Sequence, residues 1–216
     1  MKNIDYSLYL VTDRPLCLGR DLIQVVKEAV AGGVTLVQLR EKNASTREFL
    51  EIAMEIRKIL QETSVPLIIN DRIDIALALN AEGVHLGNSD MYYEKAREIL
   101  GPDKIIGLSA ESVKDAMAAS RLGADYLGVS PIFTTPTKPE LETGLGLEGL
   151  REIRRVSELP LVAIGGMNVS NCRAVVESGA DGIAVVSAIC SVPDPGLAAG
   201  ALLSEVRKGK QKRNEA

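Results

Sequence analysis

The feature of this chain that most constrains its fold is a regular alternation of short apolar runs with amphipathic segments along its 216 residues. The apolar runs are rich in Val, Ile and Leu and are continuous, which is typical of parallel strands buried on both faces. They occupy residues 8–12, 34–39, 67–70, 84–86, 105–108, 126–129, 161–164 and 183–186. The segments between them repeat apolar residues at the helical period, over residues 20–31, 45–63, 72–80, 91–100, 112–122, 147–157, 169–178 and 197–207.

Eight alternating βα units in a chain of this length predict an α/β fold, a single small (β/α)8 barrel (TIM barrel) over residues 1–206. Glycines support the count, because Gly33, Gly83, Gly123 and Gly179 each stand between a helix and an even-numbered strand. Glycine suits the position just after a helix, where a positive φ is common. A doubly wound open sheet remains the alternative, since strand order cannot be read from one sequence.

The helix over residues 45–63 carries its own start signal. Ser45 and Glu48 form a capping box, in which the hydroxyl and the carboxylate satisfy free backbone N–H groups of the first turn. The segment therefore predicts a helix that begins close to residue 45.

Composition excludes several classes of protein. Apolar residues make up 46% of the chain, enough for a packed core, so a disordered protein is excluded. Aromatic residues make up only 3%, which predicts an aliphatic core. The longest uncharged stretch, residues 159–172, is shorter than the roughly 20 residues that cross a bilayer. With no secretory signal in residues 1–5 and three scattered cysteines that predict free thiols, we expect a cytoplasmic protein without a membrane partner.

Charge is uneven only at the end of the chain. Residues 207–216 hold five Lys or Arg residues and one Glu, whereas the whole chain has a net charge of −4. This segment predicts a basic, disordered tail. A nucleic-acid partner is disfavoured because the rest of the chain is acidic.

Polar residues, and in one case a pair of glycines, follow the predicted strands. In such barrels the active site forms at the carboxyl ends of the strands, so these residues are expected to share one rim. They are Asp13, Arg14, Gln38, Arg40, Glu41, Lys42, Asn70, Asp71, Asn88, Asp90, Ser109, Thr134, Thr135, Thr137, Lys138, Gly165, Gly166 and Ser187.

Three alternating residues after the second strand indicate an anion site. Gln38, Arg40 and Lys42 leave the strand on one face. A guanidinium fork and an ammonium group together suit phosphate oxygens. The alternative is an ordinary set of solvated loop charges.

Asp71 and Asp90 are candidate Mg²⁺ ligands. Magnesium is usually held by one or two carboxylates together with substrate phosphates and water. The alternative is a pair of helix N-caps, since both residues precede predicted helices.

A second phosphate site is indicated after strands seven and eight. Gly165 and Gly166 follow one strand and Val186 and Ser187 follow the other, where barrels commonly bind phosphate through backbone N–H groups. The only histidine, His85, lies within a short strand and is interpreted as structural. With one histidine, triads and His-rich metal sites are excluded, which favours departure of a diphosphate over nucleophilic or hydride chemistry.

Several motifs in order resemble the thiamine-phosphate synthase (thiamine-phosphate pyrophosphorylase) family. They lie at residues 9–13, 38–42, 69–72, 83–90, 135–138, 163–166 and 185–189. The resemblance implies a (β/α)8 barrel and a transferase of thiamine biosynthesis. The family condenses 4-amino-2-methyl-5-(diphosphooxymethyl)pyrimidine with (carboxy)thiazole ethyl phosphate. The products are thiamine phosphate, diphosphate and, from the carboxylated thiazole, CO₂. Diphosphate leaves first and the thiazole nitrogen captures the resulting cation.

The resemblance also implies roles for individual residues. Those that would hold the pyrimidine diphosphate are Gln38, Leu39, Arg40, Glu41, Lys42, Asn70, Ser109 and Lys138, of which Arg40, Lys42, Ser109 and Lys138 would be catalytic. Asp71 and Asp90 would bind Mg²⁺. The thiazole phosphate would be held by Thr135, Pro136, Thr137, Gly166, Val186 and Ser187. The chain departs from the family pattern at Glu111, Ser130 and Thr134, beside binding positions rather than on them.

Three other functions remain as alternatives. One is a thiazole tautomerase-like isomerase, which is disfavoured by the diphosphate and metal residues present here. Another is a non-catalytic barrel that binds a phosphorylated metabolite, which would need no pair of magnesium ligands. The last is another phosphate-handling isomerase, which would call for acid–base residues on the rim. The sequence leaves the oligomeric state open, a homo-oligomer included.

Overall fold

The structure, a computed structural model, describes residues 4–134 and 144–215. Eight parallel strands pair in chain order, and β8 pairs with β1 to close the barrel. The strands are β1 (Leu8–Val11), β2 (Leu36–Leu39), β3 (Leu67–Asn70), β4 (Gly83–Leu86), β5 (Ile105–Ala110), β6 (Tyr126–Val129), β7 (Leu161–Ile164) and β8 (Gly182–Val185). The predicted (β/α)8 barrel is confirmed, and the open sheet is excluded.

Helices surround the barrel. They are α1 (Leu22–Ala31), α2 (Thr46–Gln61), α3 (Ile73–Leu79), α4 (Tyr93–Leu100), α5 (Val113–Leu122), α6 (Gly146–Val156), α7 (Cys172–Glu177), α8 (Ser187–Cys190) and α9 (Pro195–Asn214). Within the described ranges, residues 4–134 and 144–215, no helix is long and apolar enough to cross a bilayer. Cys17, Cys172 and Cys190 are buried free thiols.

The basic end of the chain is helical, so the prediction of a disordered tail from residue 207 is wrong. Helix α9 continues to Asn214 because its basic residues find partners on the barrel. Lys210 donates to the Ser7 hydroxyl at 2.6 Å, and Arg213 donates to the Ala180 carbonyl at 2.8 Å. Cations in the last turn also complement the helix dipole. Polarity alone gave no sign of these contacts.

The core has two layers of different composition. Between the strands and the helices the buried side chains are almost all aliphatic, as predicted. The barrel interior departs from that prediction because it also contains two buried aromatic residues, Tyr9 and Tyr126. Their hydroxyl groups bring polar chemistry into the centre of the barrel.

The closed barrel predicts a sharp stability difference between two glycines. A Cβ at Gly182, in β8, would overlap the backbone carbonyl of Tyr6, which lies just before β1, the strand paired with β8. We therefore expect Gly182→Ala to lower the free energy of unfolding by about 3 kcal/mol. Gly200→Ala lies in helix α9, where the nearest atom to the new Cβ is 3.5 Å away, and should raise it by about 0.5–1 kcal/mol. Urea denaturation of both variants checks this, and equal stabilities would contradict the close packing at β8.

Candidate active site

A cavity of about 390 Å³ opens at the carboxyl ends of the strands. It brings together residues that are far apart in the sequence. The predicted site residues in its wall are Gln38, Arg40, Lys42, Asn70, Asp71, Asp90, Ser109, Gly166, Val186 and Ser187. The sequence-based expectation that polar groups meet at one rim therefore agrees with the geometry.

Some predicted residues are not in the described wall. Leu39 and Glu41 point away from the cavity because neighbouring residues of a strand face opposite sides. Leu39 packs in the aliphatic core, and the Glu41 side chain pairs with Arg14 at 2.8 Å. Thr135, Pro136, Thr137 and Lys138 lie outside the described residues.

Glu41 is an unusual buried acid behind the site. Its side chain is only 5% exposed, and its Oε1 has no hydrogen-bond partner in the described parts of the chain. Burial raises the pKa of Glu41 even though the Arg14 guanidinium lowers it. Glu41 therefore holds Arg14 beside the β2 loop and does not face the cavity.

Among the described residues of the cavity wall there are two cations, Arg40 and Lys42, and each is paired with an acid. Arg40 Nη1 lies 3.1 Å from Asp13 Oδ2, and Lys42 Nζ lies 2.5 Å from Asp71 Oδ2. These contacts hold both side chains over the cavity without neutralising their hydrogen-bonding capacity, since a guanidinium has five donors and an ammonium three. The two cations can therefore still bind anionic oxygen atoms.

Asp71 and Asp90 are neighbours in the cavity wall, and each affects the pKa of the other. Burial raises the pKa of Asp90, and the neighbouring Asp71 raises it further. Burial acts in the same direction on Asp71, but its interactions with Asp90 and Lys42 outweigh it, so the pKa of Asp71 is lowered. Two neighbouring carboxyl groups offer a pair of oxygen ligands for a divalent cation.

Neither aspartate caps a helix, so the N-cap alternative is wrong. Helix α3 begins after Arg72 and α4 begins after Tyr92, and neither has a capping side chain. Asp71 has a φ of 60°, an uncommon conformation for a residue other than glycine. Asp90 Oδ2 instead accepts a hydrogen bond from the Gly87 backbone at 2.7 Å. Both side chains are thus held in the cavity wall.

The predicted second phosphate region lies on the β7–β8 side of the cavity. Gly165 and Gly166 have φ values of 104° and 67°, which other residues adopt only with strain. Asn171 Nδ2 donates to the Gly166 carbonyl at 2.9 Å and fixes the turn. Ser187 begins helix α8. This edge therefore combines a glycine turn with the start of a helix on one side of the cavity.

Sequence reasoning missed several residues of the cavity wall. They are Tyr9, His85, Glu111, Tyr126 and Ser130. Glu111 and Ser130, which were placed beside binding positions, lie in the wall itself. A signal was available for three of the five: Tyr9, His85 and Tyr126 occupy positions in their strands that face the barrel interior, where a polar group is unusual.

Among residues 4–134 and 144–215, no group of three or more His, Cys, Asp or Glu side chains forms a metal site. The pair of Asp71 and Asp90 falls short of that number. A cation bound there would need further oxygen ligands from a substrate and water, as Mg²⁺ commonly has.

A parallel barrel with cations, carboxylates and a glycine turn around its mouth defines a phosphate-handling (β/α)8 protein. Residues 8–189 match the family model described as thiamine monophosphate synthase. The chain is 53% identical over 192 residues to the thiamine-phosphate synthase of Clostridium novyi, covering 89% of this chain and 94% of that protein. It is 55% identical over 191 residues to the enzyme of the same name from Clostridium acetobutylicum, covering 88% and 90%.

Comparison of structures gives the same result. The thiamine phosphate pyrophosphorylase from Pyrococcus furiosus superposes with a TM-score of 0.88 and 42% identity, covering 95% of this chain and 98% of that one. The chain belongs to the thiamine monophosphate synthase family. The resemblance predicted from the sequence motifs is confirmed.

Proposed function

We propose that this enzyme condenses a pyrimidinylmethyl diphosphate with a thiazole phosphate in a Mg²⁺-dependent reaction that releases diphosphate. Family membership establishes the class, a thiamine-phosphate synthase and hence a transferase of thiamine biosynthesis. The metal, the residue roles and the order of steps are our proposal.

The observation that carries the metal assignment is the charge of the cavity wall. Its described residues include two cations, Arg40 and Lys42, and four acids, Asp13, Asp71, Asp90 and Glu111. A diphosphate bound to these described residues alone would meet more acids than cations. A divalent cation held between the carboxylates and the diphosphate reverses that balance, which explains why acids stand beside the cations.

Asp71 and Asp90 fit the proposed Mg²⁺. They supply hard oxygen ligands, they are close enough to affect each other's pKa, and they lie in the same cavity as the phosphate-binding candidates. Bound there, the ion would neutralise charge on the departing diphosphate.

The remaining residues of the site would bind the two substrates, one set for the pyrimidine diphosphate and another for the thiazole phosphate. Arg40 and Lys42 would bind diphosphate oxygens and stabilise the charge that grows as the carbon–oxygen bond breaks. Gln38, Asn70 and Ser109, all in the wall, would orient the pyrimidine ring. Gly166, Val186 and Ser187 would bind the thiazole phosphate and hold its nitrogen near the methylene carbon. Thr135, Pro136 and Thr137 are proposed for the same phosphate from the resemblance.

The decisive experiment mixes the purified protein with both substrates and follows thiamine phosphate and diphosphate by chromatography. We expect both products in equal amounts with Mg²⁺ and neither when a chelator removes it. Product formation that is insensitive to the chelator would contradict the metal assignment. Conversion of the thiazole alone, with the pyrimidine diphosphate untouched, would instead support an isomerase.

Lys138 gives a separate prediction about the order of steps. As a cation assigned to the diphosphate, it should accelerate ionisation more than it helps thiazole binding. We therefore expect Lys138→Ala to slow the single-turnover rate by roughly 100-fold while the KM for the thiazole phosphate stays nearly constant. Equal losses in both quantities would show that Lys138 only helps docking.

A further inference from the structure

A continuous chain of hydrogen bonds crosses the interior of the barrel along the wall of the cavity. Gln38 Nε2 donates to the Tyr9 hydroxyl at 2.9 Å, and the hydroxyls of Tyr9 and Tyr126 are 2.9 Å apart. The Tyr126 hydroxyl is 2.9 Å from His85 Nδ1, and His85 Nε2 is 3.1 Å from Ser109 Oγ. The chain therefore links two cavity residues, Gln38 and Ser109, through three others.

The barrel is built around these rings. A Cβ at Gly107, on β5 between His85 and Tyr126, would overlap the Tyr126 ring, and one at Gly128 would lie 2.8 Å from His85 Cε1. Tyr9 and Tyr126 are at most 1% exposed. An aliphatic layer would fill the same space without burying polar groups, which are costly unless they are fully bonded.

The number of available O–H and N–H donors determines the direction of every hydrogen bond from Gln38 to Ser109. Burial raises the pKa of both tyrosines, so each keeps its single O–H. Because the Tyr9 oxygen accepts from Gln38, its proton points to Tyr126, and the Tyr126 proton must then point to His85 Nδ1. The imidazole proton is left on Nε2, where it is donated to Ser109 Oγ.

The donor and acceptor roles of Ser109 and Gln38, the residues at the two ends of this hydrogen-bond chain, follow from this direction. Ser109 accepts from His85, so its own O–H is available as a donor to the cavity. Gln38, also in the cavity wall, uses an N–H of its amide to bind Tyr9, which leaves its Oε1 as an acceptor. One wall group is thereby fixed as a donor and another as an acceptor.

We propose that Tyr9, Tyr126 and His85 are positioning residues that fix this polarity, so that the cavity selects a ring carrying both an amino group and an acceptor nitrogen. An aminopyrimidine has this combination, since its amino group donates to Gln38 and a ring nitrogen accepts from Ser109. The choice of ring rests on the proposed function, whereas the histidine tautomer is a property of the protein without substrate.

The tautomer can be measured directly because the chain has one histidine. In the ¹⁵N-histidine NMR spectrum of the untagged protein at mildly alkaline pH, we expect Nε2 to carry the proton and Nδ1 to show the shift of a hydrogen-bonded acceptor. Tyr126→Phe should move the Nδ1 signal toward that of a free acceptor nitrogen. A proton on Nδ1 in the unmodified protein would overturn the proposal, whether or not the enzyme makes thiamine phosphate.

Tyr6→Phe is the matched control. Its ring centroid lies 5.0 Å from that of Tyr126, so it loses a hydroxyl beside the same ring but outside the chain. We expect it to leave the histidine spectrum unchanged. An identical Nδ1 shift in both phenylalanine variants would overturn the proposal, because it would show general repacking around the ring.

Ligand selectivity tests the consequence for the cavity. The probes are 4-amino-2-methylpyrimidinylmethyl monophosphate and its counterpart without the amino group, as competitive inhibitors. Tyr126→Phe should raise the inhibition constant of the amino compound by roughly 10-fold and leave that of the other compound almost unchanged. Tyr6→Phe should change neither inhibition constant. If Tyr126→Phe weakened the binding of both compounds equally, the proposed polarity would be overturned. If the unmodified protein formed no thiamine phosphate but still preferred the amino compound, and lost that preference in Tyr126→Phe, the result would count only against the proposed reaction.

Discussion

Asp71→Ala and Asp90→Ala are each expected to abolish Mg²⁺-dependent formation of thiamine phosphate, with a loss of roughly 1000-fold or more in kcat. The two carboxyl groups are neighbours in the cavity, so removal of either one would leave the proposed cation only one of its two assigned carboxylate ligands. Several kcal/mol of charge stabilisation on the departing group would be lost, which corresponds to this range in rate. Steady-state kinetics over a series of Mg²⁺ concentrations measure the loss.

Two further variants distinguish a loss of metal binding from a loss of folding. Asp90→Asn keeps an oxygen that can accept from the Gly87 backbone, so it should fold normally and still lose activity. Glu94→Gln makes the same chemical change on the exposed face of α4 and should leave kcat unchanged. Turnover like that of the unmodified enzyme in Asp71→Ala or Asp90→Ala would defeat the metal assignment.

Arg40→Ala is expected to slow diphosphate departure by roughly 100- to 1000-fold. Arg40 stands over the cavity, held by Asp13 at 3.1 Å, with guanidinium N–H groups left to bind diphosphate oxygens. A donor that stabilises developing charge in a site of this kind contributes about this much to the rate. A rapid-quench single turnover, which follows loss of the pyrimidine diphosphate, measures the step directly.

The conservative variant shows whether geometry matters as well as charge. Arg40→Lys keeps the positive charge but loses the planar fork, so we expect it to recover only part of the rate. Arg47→Ala removes the same charge from the exposed first turn of α2 and should have little effect. Full recovery in Arg40→Lys would mean that only the charge of Arg40 contributes.

Secondary structure followed closely from local patterns. The strands at residues 67–70, 126–129 and 161–164 have the predicted bounds, because parallel strands buried on both faces leave continuous apolar runs in a sequence. Ser45 also caps α2 as predicted, accepting from the Glu48 backbone at 3.2 Å. The Glu48 carboxylate does not accept from the Ser45 backbone N–H as a capping box would have it, but pairs with Arg14 at 2.7 Å, a partner that is distant in the sequence.

The candidate site was predictable to the extent that position in a strand decides direction. Gln38, Arg40 and Lys42 alternate, and all three reach the cavity, whereas Leu39 and Glu41, taken from the resemblance as part of one motif, face the other way. A motif identifies a segment, but the alternation of a strand decides which of its side chains meet the ligand.

By itself the sequence determined the eight βα units and the residue types that stand at the strand ends, since these depend on local period and chain length. Only the tertiary structure decided that the sheet closes into a barrel, that Asp71 and Asp90 are neighbours in one cavity, and that Gln38 is connected to Ser109 through buried rings. The end of the chain, helical because it packs on the barrel, was decided in the same way. These contacts join residues from different strands and helices, and their energies depend on distances and burial that exist only after the barrel has closed.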